Sequence, residues 1–373
     1  MNNYASVFGQ YDLDKIAMDL KVGWGMPTSW YYDPGHFQFE MDRIWSKNWL
    51  LFAPIHKLKS PGDTVAGWAG NVPVVAVCGQ DGKLRAFVNL CRHRGYAVAT
   101  ESKNCKVLMC RYHAWTYNLD GTLRGAPNAK NEPGFHKEQL SLLPVAVDVW
   151  GPSVFVNANP DAVPFLAAHP KLQAYVQSVK FPTESAYFLD NYSLVRQIDY
   201  DFKSNWKLWY ENNTECYHCP TIHSKSFGDA FDVDADAMTF AAIDRFMTFS
   251  FNPKNTTENP GTMRAQWQRA FQIFPGIGMT AQDDILLLYQ ATPIAPEATR
   301  KVLFCLTRNG ADQKRANAWI DLWHQTFTED QQATQIQQSG IRSGRLAQAR
   351  YVPSQERPVL FVDRLMLDVY RHG

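Results

Sequence analysis

Four residues within one short stretch are of types that bind metal ions. Cys91 and His93 stand one residue apart, and Cys110 and His113, with two residues between them, follow after a gap of sixteen. Each pair fits on a hairpin tip, and two such tips can hold one compact centre between them. Two thiolates and two imidazoles satisfy tetrahedral zinc. They also satisfy a 2Fe–2S cluster in which the thiolates hold one iron and the imidazoles the other, an arrangement that raises the potential. Zinc fingers usually open with two cysteines and close with two histidines, whereas here each loop supplies one of each.

A second set lies further along. His218 and His223 are five residues apart with Pro220 between them. On one unbroken helix five residues turn through about 140°, so the two imidazoles could not face one point. With the helix broken at the proline they can converge. In the helix expected over 311–338, Trp319, Trp323 and Phe327 form a stripe. At about 100° per residue Asp330 falls within about 20° of Trp319, while Glu329 and Asp321 point away. A carboxylate on an apolar face is costly unless it is partnered. An arginine or lysine could serve, and so could a metal. Two histidines and one carboxylate with open positions beside them form the facial triad of ferrous oxygenases.

The flanks of both sets carry a resemblance. Arg92, Arg94 and Gly95 around the first pair, and Tyr112, Ala114, Trp115, Thr116 and Tyr117 around the second, resemble the Rieske ferredoxin signature. Asn205, Trp206, Lys207, Glu211, Asn212, Glu215, Tyr217, His218 and His223, with Glu329 and Asp330 later, resemble the α subunits of Rieske non-haem iron oxygenases. The resemblance covers nearly the whole chain. It implies that Cys91, His93, Cys110 and His113 bind a Rieske 2Fe–2S cluster. It also implies that His218, His223 and Asp330 bind mononuclear Fe(II). Most ring-hydroxylating members have Asp three residues before the first iron-binding histidine; here that residue is Glu215. In the family this carboxylate links a Rieske histidine of one subunit to an iron-binding histidine of the next. The implied path is His113, Glu215, then His218 of the neighbour, the plainer role for Glu215 being to orient His218 within one subunit.

Glu215 followed by CYHCP resembles the branch that acts on choline, betaines and carnitine. Those enzymes hydroxylate a carbon beside the cationic nitrogen or remove an N-methyl group. An aromatic cage would suit such a cation, with Trp206, Trp209, Tyr210, Phe274 and Tyr289 as candidates that core packing would equally explain. Hydroxylation of an aromatic compound, by mono- or dioxygenation, is the alternative. Cys216 and Cys219 have C-x-x-C spacing, which suits a redox dithiol or zinc, but His218 between them already has a role. The resemblance further implies O2 and a small-molecule substrate, a homotrimer, and electrons from NAD(P)H through a reductase or ferredoxin. No nicotinamide or flavin fingerprint occurs in the chain, so the reductase is expected as a separate polypeptide.

These sites need elements to position them. A chain of 373 residues suggests two domains. Residues 1–45 read as an N-terminal segment packing on the catalytic domain. From 46 to 160, short strand-like runs broken by glycine-rich turns suggest an all-β Rieske domain whose hairpin tips carry the cluster. From 161 to 373 the expectation is a catalytic domain: a helix over 165–179, strands over 187–202, and a helix in 205–219 ended by Pro220. An antiparallel sheet over 235–310 and the long helix would follow. The fold class is α+β, and the family resemblance implies a helix-grip fold.

A net charge of +1 argues against a nucleic-acid or anionic-membrane surface. No apolar run approaches the roughly 20 residues needed to span a bilayer. The N-terminus has no secretory pattern, and the seven cysteines, odd in number and scattered, read as reduced thiols plus a metal site. Cytoplasm is the expected location. A Rieske electron-transfer protein, the non-enzyme alternative, would need only the first 160 residues.

Overall fold

The protein is seen here as a computed structural model, which describes residues 5–129, 131–179, 181–233, 239–253, 269–282 and 284–372. Residues 235–238, 254–268 and 283 of the expected 235–310 sheet lie outside the described residues. The chain divides into two compact units. One comprises 45–173 with 182–191; the other comprises 1–44, 174–181 and 192–373.

The first unit is built on a seven-stranded antiparallel sheet. Its order is Leu50–Pro54, Ser153–Asn157, Pro144–Trp150, Leu84–Val88, Val72–Cys78, Asp63–Ala69, Lys103–Asn104. A three-stranded sheet of Leu108–Met109, Thr116–Tyr117 and Leu123–Gly125 carries the second Cys–His loop. Val75, Val77, Phe87, Leu108, Tyr117 and Leu123 form its core together with Cys91 and Cys110. The boundary expected at 160 falls later, because the Phe165–Ala168 helix lays Phe165 on Phe155, with ring centroids 4.0 Å apart. The single helix expected over 165–179 is two, Phe165–Ala168 and Pro170–Ser178. Pro170 disfavours helical geometry at His169 and breaks the run.

The second unit holds a seven-stranded antiparallel sheet. Its order is Tyr192–Phe202, Ala298–Arg308, Ile285–Ala295, Ile277–Gln282, Arg269–Ile273, Phe246–Ser250, Thr239–Ile243. Residues 187–191, expected as strand, instead end the helix Ser185–Asn191, which belongs to the first unit. The Gln313–Arg342 helix buries Ala316, Ile320, Trp323, Phe327, Asp330, Thr334, Gln338 and Ile341, a stripe at three- and four-residue spacing. Asp312 caps its N-terminus, accepting from the backbone of Lys314 and Arg315.

Residues 1–44 belong to this unit, and a buried ion pair shows how they are anchored. Lys207 Nζ lies 2.6 Å from Glu40 Oε1, with both side chains fully buried. Glu40 also accepts from Trp206 Nε1 and Tyr370 Oη, each at 2.6 Å. The carboxylate therefore ties the Pro34–Glu40 helix to the Trp206–Asn212 helix and to the C-terminal Arg357–His372 helix. With three charged or polar donors on it, this buried anion is well compensated. Among the described residues no helix is long and apolar enough to cross a membrane.

Candidate metal centres

In the first unit the two Cys–His loops have the same backbone form. Gly95 N donates to Cys91 O, and Ala114 N donates to Cys110 O, at 2.9 and 3.0 Å. Gly95 and Ala114, each four residues after its cysteine, have φ of +76° and +57°. A left-handed residue at that point closes each loop into a tight tip, which glycine adopts freely and alanine only at some cost. The cysteines are buried, 3% and 2% exposed, whereas His93 and His113 are exposed. The two thiols are in contact, and the imidazole centroids lie 4.7 Å apart. Trp115 stacks on His93 with ring centroids 4.9 Å apart and the ring planes nearly parallel. Burial pushes the Cys110 thiol up. Paired sulfurs inside and paired imidazoles outside fit the two ends of a Rieske 2Fe–2S cluster. Tyr117 Oη accepts from Arg92 N at 2.9 Å and sits 3.4 Å from Cys91 Sγ, where its proton can be donated to sulfur.

In the second unit, Asn205 caps the Trp206–Asn212 helix, which ends before Glu215. Pro220 does not end this helix, as expected, but opens a one-turn helix, Cys219–Ile222, where its missing N–H costs nothing. His218 and His223 flank that turn, and their Nε2 atoms lie 3.1 Å apart. Asp330 Oδ1 lies 3.3 Å from His218 Nε2 and 2.9 Å from His223 Nε2. Three donors spaced about 3 Å apart match one face of an octahedron with bonds of about 2.1 Å. Asp330 is 5% exposed, and its Oδ1 makes no hydrogen bond of ordinary geometry, which suits a metal ligand. His218, Cys219 and His223 are also close together, but Cys219 is joined to Cys216 by a disulfide and offers no thiolate. That bridge corrects the reading of all seven cysteines as reduced: the turn after Cys216 brings the two Cα atoms to 4.9 Å, within bonding range.

Each imidazole is oriented by a carboxylate on its other nitrogen. His218 Nδ1 contacts Glu215 Oε1, and Glu215 Oε2 accepts from the backbone of Tyr217 and His218. His223 Nδ1 contacts Glu329 Oε2 at 2.8 Å, and Ser226 Oγ donates to the same oxygen. Holding the proton at Nδ1 leaves both Nε2 lone pairs aimed at Asp330. Glu329, expected to point away, thus reaches the site: its side chain extends sideways from the helix, and Ser226 draws it to His223. Burial opposes charge on His218, but Asp330 and Glu215 prevail and hold its pKa up to about 10. His223 is raised in the same way, and Asp330, despite full burial, is held below the usual carboxylate range by the two imidazoles. The metal-free triad is therefore a place that demands positive charge, which a divalent cation supplies in place of protons.

The triad opens on a cavity. Phe227, Phe249, Phe251, Tyr289, Trp323 and Phe327 supply its apolar wall. Of the five cage candidates only Tyr289 is among the described lining residues; Trp206, Trp209, Tyr210 and Phe274 are buried core. Residues that sequence reasoning left without a role also sit here. Asn212 Nδ2 is 3.3 Å from His218 Nε2, and Asn213, Gln272 and Thr280 line the cavity. Lys301 is fully buried with Nζ 2.8 Å from the Phe327 ring centroid and 4.4 Å from that of Tyr289. Among the described residues its Nζ has no hydrogen-bond partner, and burial lowers its pKa far below the usual lysine range.

Residues 48–148 match the Rieske 2Fe-2S domain family, and residues 189–372 match the catalytic domain of the ring hydroxylating alpha subunit family. The chain is 32% identical over 222 residues to the carnitine monooxygenase oxygenase subunit of Escherichia coli K12, covering 59% of this chain and 58% of that protein. It is 35% identical over 214 residues to the glycine betaine monooxygenase oxygenase subunit of Chromohalobacter salexigens, covering 56% and 45%. The chain thus spans less than two thirds of the length of these relatives. A solved quaternary ammonium Rieske monooxygenase, described with inter-subunit electron transfer, shares the fold. It has a TM-score of 0.82 at 22% identity, with 96% of this chain and 98% of that one covered.

Proposed function

Because the chain belongs to the ring-hydroxylating α-subunit family, with a Rieske domain ahead of its catalytic domain, we propose that it is the oxygenase component of a multicomponent system acting on a quaternary ammonium compound. The observation that carries this reading is the convergence of His218, His223 and Asp330 on an aromatic cavity. Aromatic faces attract a cation that cannot donate hydrogen bonds. The relatives named for carnitine and glycine betaine support the same class.

Cys91, His93, Cys110 and His113 hold the cluster, and His218, His223 and Asp330 hold Fe(II). Bound there, the two centres supply electron relay and reductive activation of O2. The protein does the rest. Glu215 and Glu329 keep the Nδ1 protons in place, so that both imidazoles bind as neutral ligands. The apolar wall holds the cation and excludes water around the reacting carbon. The overall balance is that R–H, O2, two electrons and two protons give R–OH and water. At an N-methyl group the hydroxylated product breaks down to formaldehyde and the demethylated amine.

Electrons originate in NAD(P)H and arrive through a separate reductase or ferredoxin; a cytoplasmic setting suits that supply. Transfer to iron runs from His113 of one protomer through Glu215 to His218 of its neighbour in a homotrimer, where each closed ring interface would repeat the path. The contact between Glu215 and His218 supports half of this route. Mixed trimers of a His113-defective and a His218-defective chain should recover part of the activity; no recovery would favour a path within one subunit.

Product analysis tests the activity. Iron-loaded, pre-reduced protein is exposed to O2 with a pool of quaternary ammonium compounds or a pool of aromatic acids and amines. Formaldehyde or a hydroxylated amine from the first pool is expected. Hydroxylated aromatics from the second pool alone would contradict the substrate class.

A further inference from the structure

The sheet side of the cavity carries polar atoms that nothing among the described residues satisfies. Gln272, Thr280 and Tyr289 come from three consecutive neighbouring strands and all line the cavity. Ala270 pairs with Thr280, Gln272 pairs with Gly278, and Gly278 pairs with Tyr289. Directly opposed residues share a face, so these side chains form one patch. Gly278 makes the patch possible: a Cβ there would meet the Tyr289 ring at 2.0 Å. Without that Cβ, the ring lies across the strand and its hydroxyl reaches Gln272.

Gln272 Nε2 donates to Tyr289 Oη at 2.5 Å, and Asn213 Nδ2 lies 3.4 Å from the same oxygen. The amide is thereby oriented, and its Oε1 is left without a partner. Thr280 Oγ1 makes no hydrogen bond of ordinary geometry and lies beside the Tyr289 hydroxyl. Gln272 and Thr280 are 2% and 1% exposed, so bulk water does not serve them. A buried acceptor without a donor is destabilising, and on a cavity wall the natural donor is a bound ligand.

We propose that Gln272 and Thr280 make the cavity selective for small organic cations that bear a hydroxyl group, and against those that bear a carboxylate. The inference rests on the ammonium reading of the cavity. A ligand hydroxyl donates to Gln272 Oε1 and exchanges a hydrogen bond with Thr280 Oγ1. A carboxylate would set its lone pairs against those of Oε1 and could accept only from Thr280. The charge around it is also wrong. Glu215 and Asp330 line the cavity, and among the described residues no lysine or arginine does. A carboxylate set against this wall, away from the iron, would lack a cationic side chain to pair with.

Calorimetric binding to the iron-loaded protein without O2 separates the cases. The probes are three trimethylammonium ions carrying 2-hydroxyethyl, n-propyl or carboxymethyl as the fourth group. The hydroxyethyl ion should bind about tenfold more tightly than the propyl ion, and the carboxymethyl ion more weakly than both. Thr280→Val, close to isosteric, and Gln272→Leu should each bring the hydroxyethyl ion to within about threefold of the propyl ion measured on the same variant. Tight binding of the carboxymethyl ion, or a hydroxyl preference that survives both substitutions, would overturn the proposal. Binding of all three with equal affinity would overturn it too and leave the ammonium reading standing. Failure of all three to bind, with an aromatic acid or amine binding instead, would remove the ammonium reading itself.

Discussion

The two centres place their histidines in opposite surroundings. His93 and His113 stand exposed at hairpin tips, above cysteines sunk in a β core. His223 and Asp330 are buried, and His218 is largely covered, beneath a helix and against a cavity. An exposed imidazole pair suits a centre that receives and passes on electrons, since edge contact is enough. A buried pair with carboxylates behind it suits a centre that must hold an exchangeable metal in one geometry and keep water from the reaction. The first is made by local backbone form, the second by packing across the unit. Damage should therefore stay local at the first and spread at the second.

The largest expected effect tests the local side. Cys91→Ser should abolish the visible cluster spectrum while leaving metal binding at His218, His223 and Asp330 intact; loss of both would make the two centres one folding unit. Next in size is the anchor beneath the iron site. Lys207→Met leaves the Glu40 carboxylate buried without its cation and should destabilise the second unit by about 3–5 kcal/mol. Thermal or denaturant unfolding would show it, and a change under about 1 kcal/mol would mean that Trp206 and Tyr370 suffice. Glu329→Gln should weaken iron binding by about 10- to 100-fold through loss of the carboxylate on His223 Nδ1, measured by chelator competition. The cluster spectrum should not change.

The smallest effect concerns Lys301. Its folded pKa is lowered, so as pH falls below the ordinary lysine value the unfolded chain takes up a proton before the native state does, and stability is lost. Lys301→Met should raise the melting temperature by roughly 2–6 °C at pH 7, with the gain shrinking as pH nears about 10. A fall in melting temperature would mean that the amine makes a contact needed by the fold.

How far the sequence speaks follows from the same contrast. The cluster ligands lie within one 23-residue stretch, and the loop form depends on Gly95 and Ala114 nearby. The iron triad spans more than a hundred residues, yet the helical phase of Asp330 is a local signal; Pro220 marks the right place but acts otherwise than expected, opening a one-turn helix between the histidines instead of ending one. What the sequence hides depends on packing. Trp206, Trp209, Tyr210 and Phe274 look as fit for a cage as Phe227 or Phe251, and only the course of the sheet separates core from cavity. Glu329 reaches His223 through side-chain length and Ser226, which helical phase does not register. The Cys216–Cys219 bridge depends on the turn between them, and the Gln272–Tyr289 patch on strand register.

The most direct test of two separate iron centres is iron and acid-labile sulfide analysis of the native chain beside Asp330→Ala. The account predicts about three irons and two sulfides per native chain, and about two of each in the variant with the cluster spectrum unchanged. Three irons retained in the variant would place the mononuclear site on another carboxylate and contradict the triad.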